Sequence, residues 1–254
     1  MINGIILHRD TLFSRILQVH HPKKIVAISV TDLINEVKIR YCLHTGHLWA
    51  YRGKEFNISD MFLYQEVFFS LGIGLAHYAI ADQDYVECAW QSYLLSVQAS
   101  CQTINPITPA QMSVSTYQTP NLLMLAKKAG LQVPRYSLFE QPNYLAQGYN
   151  KLWFQPHTRW GKVLYLEQMN GVWYYVPFSY HPDYGLRLTM ELPDKLVRQL
   201  TSLVLSLSVY FGEFYFKYNS GLYTFYGLSP VLSESKYRYH ELNHFAKTIM
   251  EDVV

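Results

Sequence analysis

The chain has 254 residues and a mass of 29.7 kDa, with half of its residues apolar and only 16% charged. That length and composition exclude a disordered polymer and allow one large domain or a few small lobes with a real core. The 21 basic and 19 acidic side chains nearly cancel and form no block of one sign, so nucleic acid is not expected as the main partner.

Residues 1 to about 51 read as short strands around a helix. Gly4 to His8 is apolar, Lys24 to Val30 is β-branched and apolar, and Val37 to Leu43 alternates. An extended arm from His47 to Phe56 turns at Arg52-Gly53-Lys54 and leads into Asn57-Ile58-Ser59-Asp60, a cap-like cluster before an apolar run. From Asp82 to Ser100 apolar residues recur near helical spacing, which predicts a long helix, and Asn105-Pro106 ends that segment in a turn.

A second helix fits Asn121 to Ala129, with Gly130 as its left-handed cap and Pro134 soon after. Strands are predicted at Val133 to Phe139, Lys151 to Gln155, Lys162 to Glu167 and Val172 to Val176. Asn170-Gly171 reads as the hairpin turn between the last two. Leu196, Leu200, Leu203, Val204 and Leu207 stripe a helix from about Pro193 to Tyr210. Then come a hairpin with its turn at Asn219-Ser220-Gly221 and a terminal helix from about Tyr239 to Val254.

Cys42, Cys88 and Cys101 are odd in number and lack C-x-x-C spacing. A disulfide framework or a thiolate metal site is therefore not expected, and a reducing, cytoplasmic compartment is. The N-terminal apolar run is too short for a signal peptide, and the most apolar stretches, Val67 to Ala81 and Leu200 to Gly212, fall short of a membrane span. No membrane partner is expected. The 22 tyrosines and 13 phenylalanines favour self-association or a protein partner over a merely Tyr-rich core.

His240-Glu241-Leu242-Asn243-His244 is a literal H-E-x-x-H on the predicted terminal helix. Two histidines at i and i+4 can hold zinc while the glutamate serves as general base. Only ten residues follow His244 and none is a histidine, and Glu251 and Asp252 lie about two helical turns on, beyond reach of the same ion. A solvated helix face is the preferred reading, and a zinc hydrolase through His240 and His244 is the alternative. No Walker loop, G-x-S-x-G elbow or G-x-G-x-x-G is present.

Several of these pieces fall in an order that resembles one family. They are Tyr51-Arg52-Gly53-Lys54 through Asn57-Ile58-Ser59-Asp60, Asp84-Tyr85-Val86-Glu87 with Trp90 and Leu94, and Ile104-Asn105-Pro106. The best match is Ala126-Lys127-Lys128-Ala129-Gly130-Leu131-Gln132-Val133-Pro134, followed by Phe211-Gly212-Glu213-Phe214-Tyr215-Phe216 with Phe225-Tyr226-Gly227-Leu228-Ser229-Pro230. This order is similar to that of the ATP-grasp superfamily, in its branch of glutathione-synthetase-like, ribosomal-protein-modifying and peptide-macrocyclising ligases. The resemblance implies an α/β fold with α+β lobes: an N-terminal α/β domain over 1–115 and an ATP-grasp-like domain over 116–254. The second domain would hold a reduced central lobe at about 134–180 and a C-terminal lobe.

An ATP-grasp ligase makes an acyl phosphate and must neutralise a triphosphate with lysines and carboxylate-held magnesium. At the positions where the resemblance implies those groups, this chain has Thr119 and Gln155 for the two lysines, Tyr215 for the aspartate of the first hairpin strand, and Gly227 and Ser229 for the glutamate and asparagine of the second. The glycine-rich phosphate loop is reduced to Thr158-Arg159-Trp160-Gly161. The expectation is a degenerate ATP-grasp protein without nucleotide or metal, whose old cleft, lined by groups such as Trp153, Gln155, Tyr215 and Tyr226, binds a peptide or protein. It would act as a homodimer or as a heteromer with an active ligase. The enzyme alternative is a carboxylate-amine ligase using ATP and magnesium through Glu167, Glu191 and Glu213.

Overall fold

A computed structural model describes residues 4–20, 23–66, 75–104, 120–139, 163–167, 170–229 and 232–253. The chain forms two compact units, residues 1–109 with 233–254 and residues 110–232.

In the first unit β1 (Gly4–His8) is followed by α1 (Leu12–His20) and β2 (Ile25–Ser29). Ile5, Ile6 and Leu7 are wholly buried, the continuous apolar run expected of a parallel strand covered on both faces. α2 (Val30–Asn35) starts where the Ser29 hydroxyl accepts the Asp32 amide at 3.0 Å, a side-chain N-cap. An antiparallel sheet follows, β3 (Lys38–Cys42), β4 (Gly46–Tyr51) and β5 (Lys54–Asn57). Its second turn has Arg52 and Gly53 both at positive φ, the mirror-image turn whose twist matches a hairpin.

Asn57 caps a short 3-10 turn at Ile58–Asp60, and the chain then enters β6 (Phe62–Gln65). α3 (Ile80–Ser100) leads to β7 (Gln102–Thr103), completing a parallel sheet in the order β2-β1-β6-β7.

In the second unit α4 (Pro120–Lys128) ends with Gly130 at φ 88, where the Leu131 amide reaches the Ala126 carbonyl and the Gly130 amide that of Lys127. This is the left-handed cap expected of the sequence. β8 (Tyr136–Phe139) and β9 (Val163–Leu166) pair with each other. A four-stranded antiparallel sheet has the order β11-β10-β12-β13, from β10 (Val172–His181), β11 (Gly185–Leu188), β12 (Phe211–Asn219) and β13 (Leu222–Ser229). The leucine stripe of α5 (Asp194–Leu207) and Val176, Phe178, Phe214, Phe216, Phe225 and Leu228 of the sheet fall in one core. Phe178 stacks on Phe214 at 4.0 Å between centroids.

Two expectations are corrected. Asn170-Gly171 does not join a hairpin, because β9 pairs with β8 while β10 pairs with β12. A ten-residue strand with buried Val176 and Phe178 gains more from a central place in the larger sheet than from a four-residue neighbour. The terminal helix α6 (Tyr239–Val253) belongs with the first unit rather than with residues 116–232. Its Leu242, Phe245, Ala246 and Ile249 are buried, and Phe245 stacks on Phe13 of α1 at 6.0 Å. The predicted strand at 151–155 lies outside the described residues. Among the described residues no helix is long and apolar enough to cross a membrane.

Candidate functional site

The hairpin positions singled out in the sequence come together on one face of the β10-β12-β13 sheet. In an antiparallel ladder, directly opposed residues share a face and the face alternates with period two. Tyr215 lies opposite Gly227 and Glu213 opposite Ser229, while Tyr175 lies opposite Tyr215 and Trp173 opposite Lys217. Glu213, Tyr215 and Lys217 therefore point to one side of β12, and Phe214 and Phe216 to the other. The core face is aromatic and dry; the opposite face holds the candidate positions Glu213, Tyr215, Gly227 and Ser229.

Two local irregularities shape that face. Between Tyr215 and Phe216 the register slips, so that Gly227 opposes Tyr215, Phe225 opposes Phe216, and Tyr226 has no partner of its own across the ladder. Such a bulge re-aims a side chain. Here it sets Tyr226 against Trp173, with centroids 4.9 Å apart, and lets the Tyr226 hydroxyl donate to the Glu167 carbonyl at 2.8 Å. Gly212 allows the close approach of the two strands: a Cβ there would lie 2.1 Å from the Ser229 carbonyl oxygen.

The electrostatics of the face are sparse. Among the described residues its one carboxylate is Glu213, which is fully buried. Lys217, 5% exposed, holds its ammonium 5.2 Å from the centre of the Trp173 ring, a cation–π contact strengthened by desolvation. Glu213 and Lys217 sit about 13 Å apart along the strand. Burial, and after it the Glu213 charge, pushes the Tyr175 phenol up, and Tyr175 meets Tyr215 edge-on at 5.5 Å. The face is thus a row of rings, Trp173, Tyr175, Tyr215 and Tyr226, with an acid near one end and an amine near the other.

The other residues named from the sequence divide as follows. Thr119, Trp153, Gln155, Pro230 and the Thr158–Gly161 turn lie outside the described residues. Glu167 reaches the site only through its backbone carbonyl, and its carboxylate lies 4.0 Å from exposed Arg135. Glu191 is exposed beyond β11, the far edge strand. His240 and His244 are exposed on α6 in the first unit. The Glu241 carboxylate between them accepts the Arg238 amide at 2.7 Å, the reciprocal cap of a helix start. Asn243 meets His20 at 3.2 Å. No group of three metal-ligating side chains occurs among the described residues. Trp173, Tyr175 and Lys217 went unremarked in the sequence, although the alternation Glu213-Tyr215-Lys217 places the lysine on the same side as Tyr215.

No family model matches the sequence, and no curated protein does. Solved structures do match over the whole chain. The macrocyclase MdnB from Microcystis aeruginosa aligns with a TM-score of 0.68 at 12% identity, covering 100% of this chain and 99% of that one. MdnC, a macrocyclase of the same organism bound with its precursor peptide MdnA, aligns at 0.67 and 13% identity, over 99% and 100%. A RiPP-associated ATP-grasp ligase from Chryseobacterium gregarium, in complex with ADP and a leader and core peptide, aligns at 0.71 and 11% identity, over 100% and 96%. The chain has the ATP-grasp fold. At these identities the likeness is one of fold, and function has to be argued from the site.

Proposed function

We propose that this protein is an ATP-grasp-fold protein that does not ligate and that binds a peptide or protein segment, in the service of an active ligase. The observation that carries the reading is the pairing on the hairpin face: Tyr215 opposite Gly227 and fully buried Glu213 opposite Ser229. Magnesium takes carboxylate oxygens on a cleft wall together with phosphate oxygens, and this donor set does not fit it. Tyr215 is a half-buried ring, Gly227 has no side chain, and Glu213 has no exposed surface. Trp173, Tyr175 and Tyr215, each only partly buried and with Trp173 backed by the buried Tyr226 ring, instead supply flat, amphipathic surface suited to an extended peptide. MdnC and the Chryseobacterium ligase, which share the fold, are bound to peptides, and that supports a peptide ligand here.

Isothermal titration with Mg-ATP tests the reading. The expected result is no magnesium-dependent heat at millimolar nucleotide. Magnesium-dependent binding in the micromolar range would promote the second reading, a carboxylate-amine ligase. Its one favourable observation is Glu213, an acid on the correct face of the hairpin two residues before Tyr215.

A further inference from the structure

His47, in the first unit, is buried without the partners that a buried imidazole ordinarily needs. It is 5% exposed, on the β4 face that also carries the buried Trp49 and Tyr51. Its ring lies between Tyr41, directly opposite on β3, at 5.1 Å between centroids, and Tyr93 of α3, at 5.3 Å. Tyr93 is itself fixed, since its hydroxyl accepts the Trp49 indole N–H at 2.6 Å. The His47 Nε2 stands 3.5 Å from the Ser96 hydroxyl of α3, which donates to the Tyr93 carbonyl at 2.7 Å. Nδ1 has no partner among the described residues.

A neutral imidazole has one N–H and one bare nitrogen. With the proton on Nε2 the N–H meets Ser96, and the bare nitrogen is left among rings. Protonation adds a second N–H and a full charge at Nδ1, where no acceptor waits, and a buried cation without a partner is costly.

The surroundings do not offset that charge. Tyr41 offers its ring, and Tyr93 stays a neutral phenol, its pKa pushed up to about 12 by burial. Alternation turns Lys38, Arg40 and Cys42 of β3 and Glu55 of β5 to the opposite face of the sheet. Asp32, Arg52 and Lys54 gather about Tyr51, roughly 13 Å along β4 from His47. Asp60, after β5, is exposed and accepts the Asn57 side-chain amide at 2.8 Å, and His44 is exposed in the turn between β3 and β4. On α3 the nearest acid, Glu87, lies about 9 Å along the axis from Tyr93 and accepts the Gln91 side-chain amide at 3.3 Å.

α3 is the element that can give way. Of its 21 residues only Leu94 and Val97 are buried, so the contacts of Tyr93 and Ser96 with β4 matter to its seating. We propose that His47 is an acid-sensitive latch: neutral, it seats the C-terminal half of α3 on β4, and protonated, it releases that half from the sheet. Burial holds the seated ring below its ordinary pKa of 6.5, against a smaller opposing pull from Ser96. A released ring titrates at its ordinary value, so the released form binds more protons and gains population as the pH falls below 6.5. The gain from pH 7.5 to pH 5.5 is at most about tenfold.

Hydrogen exchange of the full chain at those two pH values, corrected for intrinsic rates, tests this. Amides from Trp90 to Ser100 are expected to lose protection severalfold at pH 5.5, while Ile5, Ile6 and Leu7 of β1 in the same unit keep theirs. His47→Phe, a ring of similar size that does not titrate, is expected to keep the same α3 protection at both pH values. In wild-type protein the His47 ring, assigned by NMR through its loss in His47→Gln, is expected to titrate below 6.5. Protection of α3 that ignores pH, a pH-dependent loss that persists in His47→Phe, a loss shared equally by β1, or a His47 ring that titrates at or above 6.5 would each overturn the proposal.

Discussion

Glu66 offers a sharp test of how the first unit is held together. It follows β6 directly and is almost fully buried. Three donors converge on its carboxylate: the Thr11 hydroxyl at 2.6 Å, the Tyr64 hydroxyl at 3.1 Å and the Arg9 amide at 3.1 Å. Burial pushes the Glu66 carboxyl up; the three donors pull it down by less, and the nearby Glu234 charge adds to the rise. Glu234 is itself held, because its two oxygens cap α1 through the Leu12 amide at 2.8 Å and the Phe13 amide at 2.5 Å.

In Glu66→Gln the buried charge disappears, but the amide nitrogen must face one of the three donors. A buried donor left without its acceptor costs about 1–3 kcal/mol. That is a fall in Tm of about 2–4 °C per kcal/mol for a chain of this size. The sign of the pH effect follows from the raised pKa. Between the usual carboxyl value of 4.5 and the higher folded value the folded state binds more protons than the unfolded chain. Wild-type stability from this group therefore rises as pH falls through the folded pKa and levels off below the unfolded one. Urea unfolding from pH 8 to pH 5 should show the wild type gaining on the Gln variant as the pH drops. A variant as stable as the wild type at pH 7, or a difference that does not change with pH, would refute this account.

Gly212→Ala should cost about 1–3 kcal/mol by overpacking, since its Cβ would meet the Ser229 carbonyl at 2.1 Å; an unchanged urea midpoint would disprove the pairing of β12 and β13 at that point. Phe245→Ala removes the buried ring stacked on Phe13 and should cost about 3–5 kcal/mol, measured by thermal unfolding; a loss below 1 kcal/mol would mean that α6 is not docked on α1. Glu241→Ala should lose about 1 kcal/mol with the helix cap, while His240→Ala and His244→Ala, both exposed, should stay within about 0.5 kcal/mol. Elemental analysis of the purified protein completes that set: stoichiometric zinc lost in His240→Ala would reinstate the hydrolase reading.

Much of the architecture was legible because local rules and tertiary packing agree. The leucine stripe of α5, the Asn219-Ser220-Gly221 turn with Ser220 and Gly221 at positive φ, and the Gly130 cap each carry a signal strong enough to stand alone. The failures came where pairing is decided at a distance. Asn170-Gly171 has the composition of a hairpin turn, but the partner of β10 is set by Phe214 and Phe216 some forty residues on. α6 has an apolar stripe that says it must dock and not where; Phe13 supplies the answer. Tyr215, Gly227 and Ser229, singled out in the sequence, lie on the two hairpin strands, while Trp173 and Lys217 on the same face were not singled out. Their pairing across β10 and β12 cannot be read from either strand alone.

The two-sided build of the β10-β12-β13 sheet explains how a fold can be kept while its chemistry changes. Phe178, Phe214, Phe216 and Phe225 are wholly buried and occupy one face, and they hold the sheet to α5. Residues 213, 215, 217, 227 and 229 alternate onto the other face, and truncating or exchanging them leaves the first set of contacts in place. A substitution on the core face opens a cavity costing about 3–5 kcal/mol for a ring. An exchange on the opposite face between an acid and a half-buried tyrosine alters charge without emptying the core. Likeness of backbone to peptide-binding ligases therefore constrains the apolar alternation alone, and the test of chemistry has to be made at Glu213, Tyr215 and Gly227 by nucleotide and magnesium binding.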